Sequence, residues 1–474
     1  MSNASTPGTK PGCCVTRRGL LVGGGLGLLA GGAAGWWGAL GWQALRGRDG
    51  APSPFTGRTA EDPRAEYAMP GPFPGRVVEV RHPAAVSPTH VINRDVVRQM
   101  MDRGMRELVG ADNPLDGWRR FFQRGDRIGI KVNPVGRTRN GSIPSISSPE
   151  VLLETVNKLK EIGIPPRDII VYERYAAEFR DTGYETLMRE REMDGVRWYA
   201  ASADYDEAQL EIDGQLRGRD RDPHAVGYDP DVFVSMGFAA PEHSARDDRR
   251  FRSHLSTIVT RMVDKIITIP CLKDHRSSGI TIALKNMSHG MNNNVARSHI
   301  AGIYRLDGAV SGPNQCNTFI PTAVAQRPLR EKATLHIMDG LIGVYEGGPG
   351  SWNRTWGTWR RQSLFFATDP VAMDHVGWDI IDAKRALEGW RPVAQMGQTI
   401  SGPAVTLSPR LAALAALGTP EAGLLAAQEF RAIPDSRGAE PFERRQPEHI
   451  ILAGLLGLGT FDARLIEHRY LRMA

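Results

Sequence analysis

Short β-branched apolar runs alternate along this chain with longer stretches of helical period, the pattern of an α/β protein. Val77–Val80 reads as a first strand. Asn93 can cap a helix to about Leu108, with Val96, Val97, Met100, Met101, Met105 and Leu108 on its apolar face. Arg127–Val132 predicts a second strand, and Ser147 or Ser148 then caps a helix with Pro149 in its first turn. Val151, Leu152, Val156 and Leu159 line that helix, Gly163 stops it, and Asp168–Tyr172 is the next strand. This is a βαβ unit, whose crossover should be right-handed.

Residues 200–250 are weakly patterned around an Asp213-Gly214 turn and predict an insertion or hairpin. Ser256–Val263 predicts a helix feeding a buried parallel strand, Ile266–Ile269, which Pro270 stops. Lys273, Asp274 and His275 follow directly, as the Lys-x-His end of the strand or, on the blander reading, as a solvated loop; then come a Ser-Ser-Gly turn at 277–279 and an apolar segment, Ile280–Leu284, that delivers Lys285 and Asn286. Thr334–Met338 and Leu364–Ala367 are further strands, and a helix from about Val371 carries Asp374. Residues 385–445 are irregular, and two helical stretches close the chain near His449–Leu456 and Phe461–Met473. The expected fold is therefore α/β, with mainly parallel sheets in two lobes and a polar cleft at the strand carboxyl ends. The lobes are residues 76–330, with 200–250 inserted, and residues 331–474.

The net charge of +6 is misleading, because residues 1–48 hold five Lys and Arg and no acid, which leaves about +1 for the rest. A nearly neutral body argues against a nucleic-acid surface. The five cations belong to a targeting segment. Arg17-Arg18 precedes the uncharged stretch 19–45, as in a twin-arginine export signal read by its own machinery. That stretch is long enough to span a bilayer, with Trp36, Trp37 and Trp42 suited to the interface. The expected location is the periplasm, either released or tethered to the outer face of the cytoplasmic membrane, with 49–75 as a linker. Outside this leader only Cys271 and Cys316 remain, so one disulfide is open and a cysteine-ligated iron–sulfur cluster is not.

Polar groups cluster where the predicted strands end: Lys131 and Asn133, Glu173, Lys273 and His275, Asp339, and Asp369. In open α/β sheets ligands bind outside the carboxyl ends of the strands. Lys131, Lys273, Lys285 and Arg137 or Arg139 can hold a carboxylate or phosphate, so a small anionic ligand is expected. His275 suits a general base or a metal ligand. Asp339, Glu346, Asp369 and Asp374 suit a hard divalent cation or a purely structural role. The glycine-rich loop 346–350, with Gly348 at its centre, can offer backbone N–H groups to an anion. Asn286 beside Lys285 completes the binding candidates. A lysine buried among other cations has a lowered pKa, which makes Lys285 a candidate for covalent chemistry.

Four segments in order, GDRIGIKVN, PCLKDHRSSGITIALKNMSHG, DGLIGVYEGGPG and ATDPVAMD, resemble the family called domain of unknown function 362. Many relatives carry ferredoxin-type cysteine motifs, which this chain lacks. The spacing His275-x3-Gly279-x5-Lys285 is similar to that of the nickel-pincer lactate racemase catalytic subunit. That resemblance implies a shared scaffold, with His275 in proton transfer and Lys285 at the position of a cofactor-bearing lysine. The racemase's second histidine is replaced by Glu173-Arg174, and its nickel-binding histidine has only His299 as an approximate counterpart. Two functions follow as expectations. One is an enzyme, racemase- or isomerase-like or associated with an oxidoreductase, that moves a proton on a small anion using His275, Lys285 and Lys273. The other is a non-catalytic ligand- or cofactor-binding accessory protein of an exported redox system.

Overall fold

The computed structural model describes residues 65–136, 143–204, 222–236, 251–275, 278–295, 298, 316–350, 355–390, 392–393 and 447–474. Residues 1–48, expected as an export signal, residues 49–64 of the expected linker, Arg137, Arg139, Asp213-Gly214 and His299 lie outside the described residues. Among the described residues, no helix is long and apolar enough to cross a membrane.

Among the described residues, an eleven-stranded sheet forms the frame. In chain order its strands are β1 (Arg76–Arg81), β2 (Ile128–Lys131), β3 (Ile169–Tyr175) and β4 (Arg197–Ser202). After a separate antiparallel pair, β5 (Tyr228–Ser235) with β6 (Arg252–Ser256), come β7 (Lys265–Thr268), β8 (Cys271–His275) and β9 (Gly279–Thr281). The last are β10 (Ala333–Glu346), β11 (Gly357–Trp359), β12 (Ser363–Ala367) and β13 (Glu467–Arg472). The spatial order is β13-β1-β12-β10-β7-β2-β3-β4. The run from β10 to β4 is parallel throughout, whereas β12 is antiparallel to both its neighbours. Strands from both sides of residue 330 share this one sheet, since β1 lies between β12 and β13 and β10 lies beside β7.

Adjacent residues of one strand fall into different hydrophobic cores. Val78, Ile169, Ile267 and Phe366 belong to one core, and Val77, Ile170, Ile266 and Phe365 to the other. Side chains alternate across a sheet, so the sheet is buried on both faces, as a parallel sheet requires. Helices α1 (Arg94–Val109) and α2 (Pro149–Glu161) supply the first core, and α3 (Ala176–Asp181) packs its Phe179 there too. Helices α4 (Ala283–Met291), α5 (Cys316–Val324), α6 (Pro370–Leu387) and α7 (Glu448–Leu455) supply the second. Asn93 caps α1 as its position implies, accepting from the N–H groups of Asp95 and Val96.

Several local expectations change in the folded chain. Residues 271–275 are not a loop but β8, every residue buried, hydrogen-bonded to both β10 and β9. The apolar segment 280–284 is divided between β9 and the first turn of α4. Thr334–Met338 continues through Asp339 and Gly340 to Glu346 as one long strand. The closing stretch 461–473 holds a single 3₁₀ turn, Ala463–Leu465, and then β13 rather than a long helix, in parallel register with β1 from Arg76↔Glu467 to Arg81↔Arg472. The edge of β1 needed a backbone partner, and that demand overrode helical period. Cys271 and Cys316 are both buried free thiols, so the disulfide left open by the sequence does not form.

Candidate functional site

The parallel strands β2, β3 and β7 point their carboxyl ends at one edge of the sheet, where a cavity of about 570 Å³ opens. Lys131 and Asn133 enter it from β2 and the following loop. Glu173, Arg174, Tyr175 and Glu178 come from β3 and α3. His275, Thr281, Lys285, Asn286 and His289 close it from β8, β9 and α4. Residues separated by more than 150 positions thus meet at one sheet edge: Asn286 Oδ1 accepts from Lys131 Nζ at 3.2 Å across 155 positions.

Helix α4 determines where Lys285 and Asn286 sit, and a distant carboxylate holds the start of that helix. Asp374, fully buried on α6, accepts from the N–H groups of Ala283 at 2.7 Å and Leu284 at 3.2 Å. Burial pushes its carboxyl well above the usual range, against the pull of those two N–H groups. At the far end of α4, Gly290 leaves room for Lys131, because a Cβ there would stand 2.6 Å from the Lys131 ammonium.

Four candidates are bound up in the scaffold. Lys131 donates to Glu173 at 2.5 Å and to the Val132 carbonyl at 2.7 Å, both side chains being buried. Burial raises the Glu173 carboxyl, and the Lys131 ammonium opposes that. Lys273 is fully buried but does not line the cavity; its ammonium donates to the carbonyls of Val135 and Ser145. The Gly348 N–H, expected to face an anion, donates to Asp274 Oδ1 at 2.7 Å, and the next residue, Pro349, borders the cavity.

The four acids proposed for a cation are each engaged elsewhere. Asp339 accepts from the Ser148 N–H at 2.8 Å and its hydroxyl at 2.5 Å, tying β10 to the start of α2. Glu346 pairs with Arg385 at 2.5 Å. Asp369 caps α6 and accepts from the N–H groups of Gly75 and Thr460. It follows β12, which runs antiparallel to β10, so it lies at the opposite edge of the sheet from His275. Asp374 serves α4, as described. Among the described residues, no three His, Cys, Asp or Glu side chains are grouped to hold a metal ion.

The remaining groups leave the cavity rich in donors. Asn286 Nδ2 and Thr281 Oγ1 are buried and have no hydrogen-bond partner among the described residues. Asn133 also lines the cavity, its backbone fastened to Ser147. Lys285 lies beside them, lowered to about 8 by burial, with Arg174 and Lys273 acting in the same direction. His275 Nδ1 accepts from the Ser278 N–H at 3.3 Å, which in a neutral ring leaves the proton on Nε2.

Glu178, which lies two residues into the short helix after β3, was not evident from the sequence. Burial and the nearby Glu173 push it up to about 7. The strand-end rule would have reached it had β3 been continued through Tyr175. Behind Lys285 lies Cys316, its thiol raised by burial and 3.7 Å from His289 Nε2. His289 is in turn held by the Ser288 and Ser298 hydroxyls.

Residues 247–379 match the family described as Domain of unknown function (DUF362). The protein carries a DUF362 domain. The DUF362 segment contributes His275, Thr281, Lys285 and Asn286, together with the Asp374 that positions them, whereas Lys131, Asn133, Glu173 and Glu178 precede it. The cavity is therefore completed by chain outside the matched segment. No curated protein matches the chain. One solved structure that it resembles is a protein from Thermotoga maritima, 13% identical, covering 57% of this chain and 55% of that one with a TM-score of 0.29. The chain spans just over half the length of that protein.

Proposed function

We propose that this DUF362 protein is an enzyme that binds a small carboxylate or similar anion and transfers a proton on it. The observation that carries this reading is the pair of buried groups, Asn286 Nδ2 and Thr281 Oγ1, left without a hydrogen-bond partner among the described residues beside Lys285. Buried polar groups are almost always paired, and each orphan costs free energy that a ligand acceptor would recover. A carboxylate supplies several acceptor sites and the negative charge that an ammonium with a pKa of about 8 would hold near neutral pH. His275, with Nε2 protonated, is then the proton donor. Glu178, at about 7, is the acceptor whose pKa suits general-base work at neutral pH. The same lowered pKa makes Lys285 competent for a covalent link to a carbonyl-bearing group.

The test is deuterium wash-in. The full chain is incubated in D2O with a panel of small 2-substituted carboxylates, and NMR follows exchange at the carbon beside the carboxylate. At least one should exchange, and His275→Asn should slow it by roughly 10²–10⁴-fold, the usual contribution of a general acid or base. If no carboxylate exchanges but one still raises the unfolding temperature, the cavity is a binding site without chemistry. If none does either, the anion reading is wrong.

Export belongs to the same reading, because Arg17-Arg18 directly before an uncharged stretch is the paired-guanidinium feature of a twin-arginine signal. Replacing both arginines with lysine should leave the protein in the cytoplasm when cell fractions are blotted. Unchanged export would remove the assignment.

A further inference from the structure

A second cleft lies away from the Lys/His cavity, between α6 and the β1–β13 side of the sheet, with a volume of about 520 Å³. Its wall is apolar. Val376, Ile380, Ala383 and Leu387 follow one another at spacings of four, three and four, which aligns them on one face of α6. That stripe passes from Val376, in the core, to Leu387, which is 83% exposed. The indole of Trp359 borders the same space.

The rim is cationic, and its charges are unevenly matched. Arg361 pairs with the buried Glu79 at 2.8 Å, and His468 Nε2 lies 3.0 Å from the other oxygen of that carboxylate. Lys384 is matched by Glu388. Asp379, the one acid lining the cleft among the described residues, faces His375 at 3.5 Å. Two arginines remain. Arg81 makes no side-chain hydrogen bond or ion pair to any described residue. Arg360, exposed, has only a 3.4 Å contact from Nη1 to the Val86 carbonyl. A concave apolar wall below two unmatched guanidinium groups is complementary to a molecule with an apolar body and an anionic head.

We infer that this cleft is a binding site for an amphipathic organic anion, with an apolar chain or ring along the α6 stripe and a carboxylate or phosphate held by Arg81 and Arg360. Neither half of the ligand suffices. A bare anion would gain little from two arginines in contact with water, and an uncharged chain would leave the rim unmatched. The inference does not depend on the reading of the Lys/His cavity.

Calorimetric titration of the full chain with octyl phosphate tests it, with inorganic phosphate and octanol as separate controls. Octyl phosphate should bind at one site per chain, at least tenfold more tightly than either control. The double variant Arg81→Gln/Arg360→Gln removes side chains whose one fold contact is the long Arg360–Val86 bond, and it should weaken octyl phosphate at least tenfold, about 1.4 kcal/mol. Leu387→Asp, at an exposed position, places a carboxylate at the mouth of the cleft and should do the same. Lys285→Met should leave this binding unchanged, which separates the cleft from the other cavity. Absent binding, octanol binding as tightly as octyl phosphate, or full affinity in the double arginine variant would each overturn the inference.

Discussion

Lys285→Met is expected to make the protein more stable at neutral pH while it loses its anion. In the folded chain the ammonium titrates near 8 rather than at its ordinary 10.5, because burial penalises the charge. Below pH 8 both folded and unfolded chains carry the proton, so the folded state bears the whole penalty, about 3 kcal/mol for a shift of this size. Between about 8 and 10.5 the unfolded chain holds more protons than the folded one, so stability rises with pH across that window. Above it the penalty is gone. Methionine keeps the stem and never carries the charge, so at pH 7 the variant should unfold later than the parent. Above pH 10.5 the difference should disappear. Denaturant unfolding at pH 7 and pH 11, beside carboxylate titration at pH 7, separates the possibilities. A variant that is less stable at pH 7 would show that Lys285 is a structural ion-pair partner, and one that keeps full anion binding would remove it from the site.

Arg385→Met should have the opposite effect on stability, and a large one. Arg385 is fully buried on α6 and donates to Glu346 at 2.5 Å and to the Tyr345 carbonyl at 2.8 Å, with Asp274 at 4.0 Å. Asp274 sits between Lys273 and His275 and holds the Gly348 N–H. A Cβ at Gly348 would collide with the Asp274 carbonyl, so the loop passes β8 only because that residue is glycine. One guanidinium therefore neutralises two carboxylates that together fix the strand bearing His275 and the loop bearing Pro349. Removing one partner of a buried pair typically costs about 3–5 kcal/mol, because the remaining charge is left uncompensated. The denaturation midpoint should fall accordingly, and adding Glu346→Gln should recover part of the loss. An Arg385→Met protein as stable as its parent would show that the network does not hold this side of the site.

Apolar periodicity and helix capping are set by neighbours within a few positions along the chain. Val77–Val80, Ile128–Lys131 and the helix capped by Asn93 were accordingly legible. Lys131, Asn133, Glu173 and His275 were expected at one sheet edge for a related reason, that parallel strands end on the same side, and all four line the cavity. Asp369 departs from that rule because the direction of β12 is a property of the sheet and not of the residues Ser363–Ala367.

Length and composition, the α/β class, the strand-end polarity and the paired Arg17-Arg18 are determined by the sequence alone. Tertiary structure decided the rest. Lys285 stands on a helix whose first N–H groups are accepted by Asp374, 91 residues beyond Ala283. Lys273 and Gly348 are taken up by the scaffold because Val135, Ser145 and Asp274 fold against them. Residues 467–472 are a strand because β1 had an edge to cover. In each case the deciding energy belongs to a buried polar group that must find its partner, and the partner lies where only the folded chain can bring it.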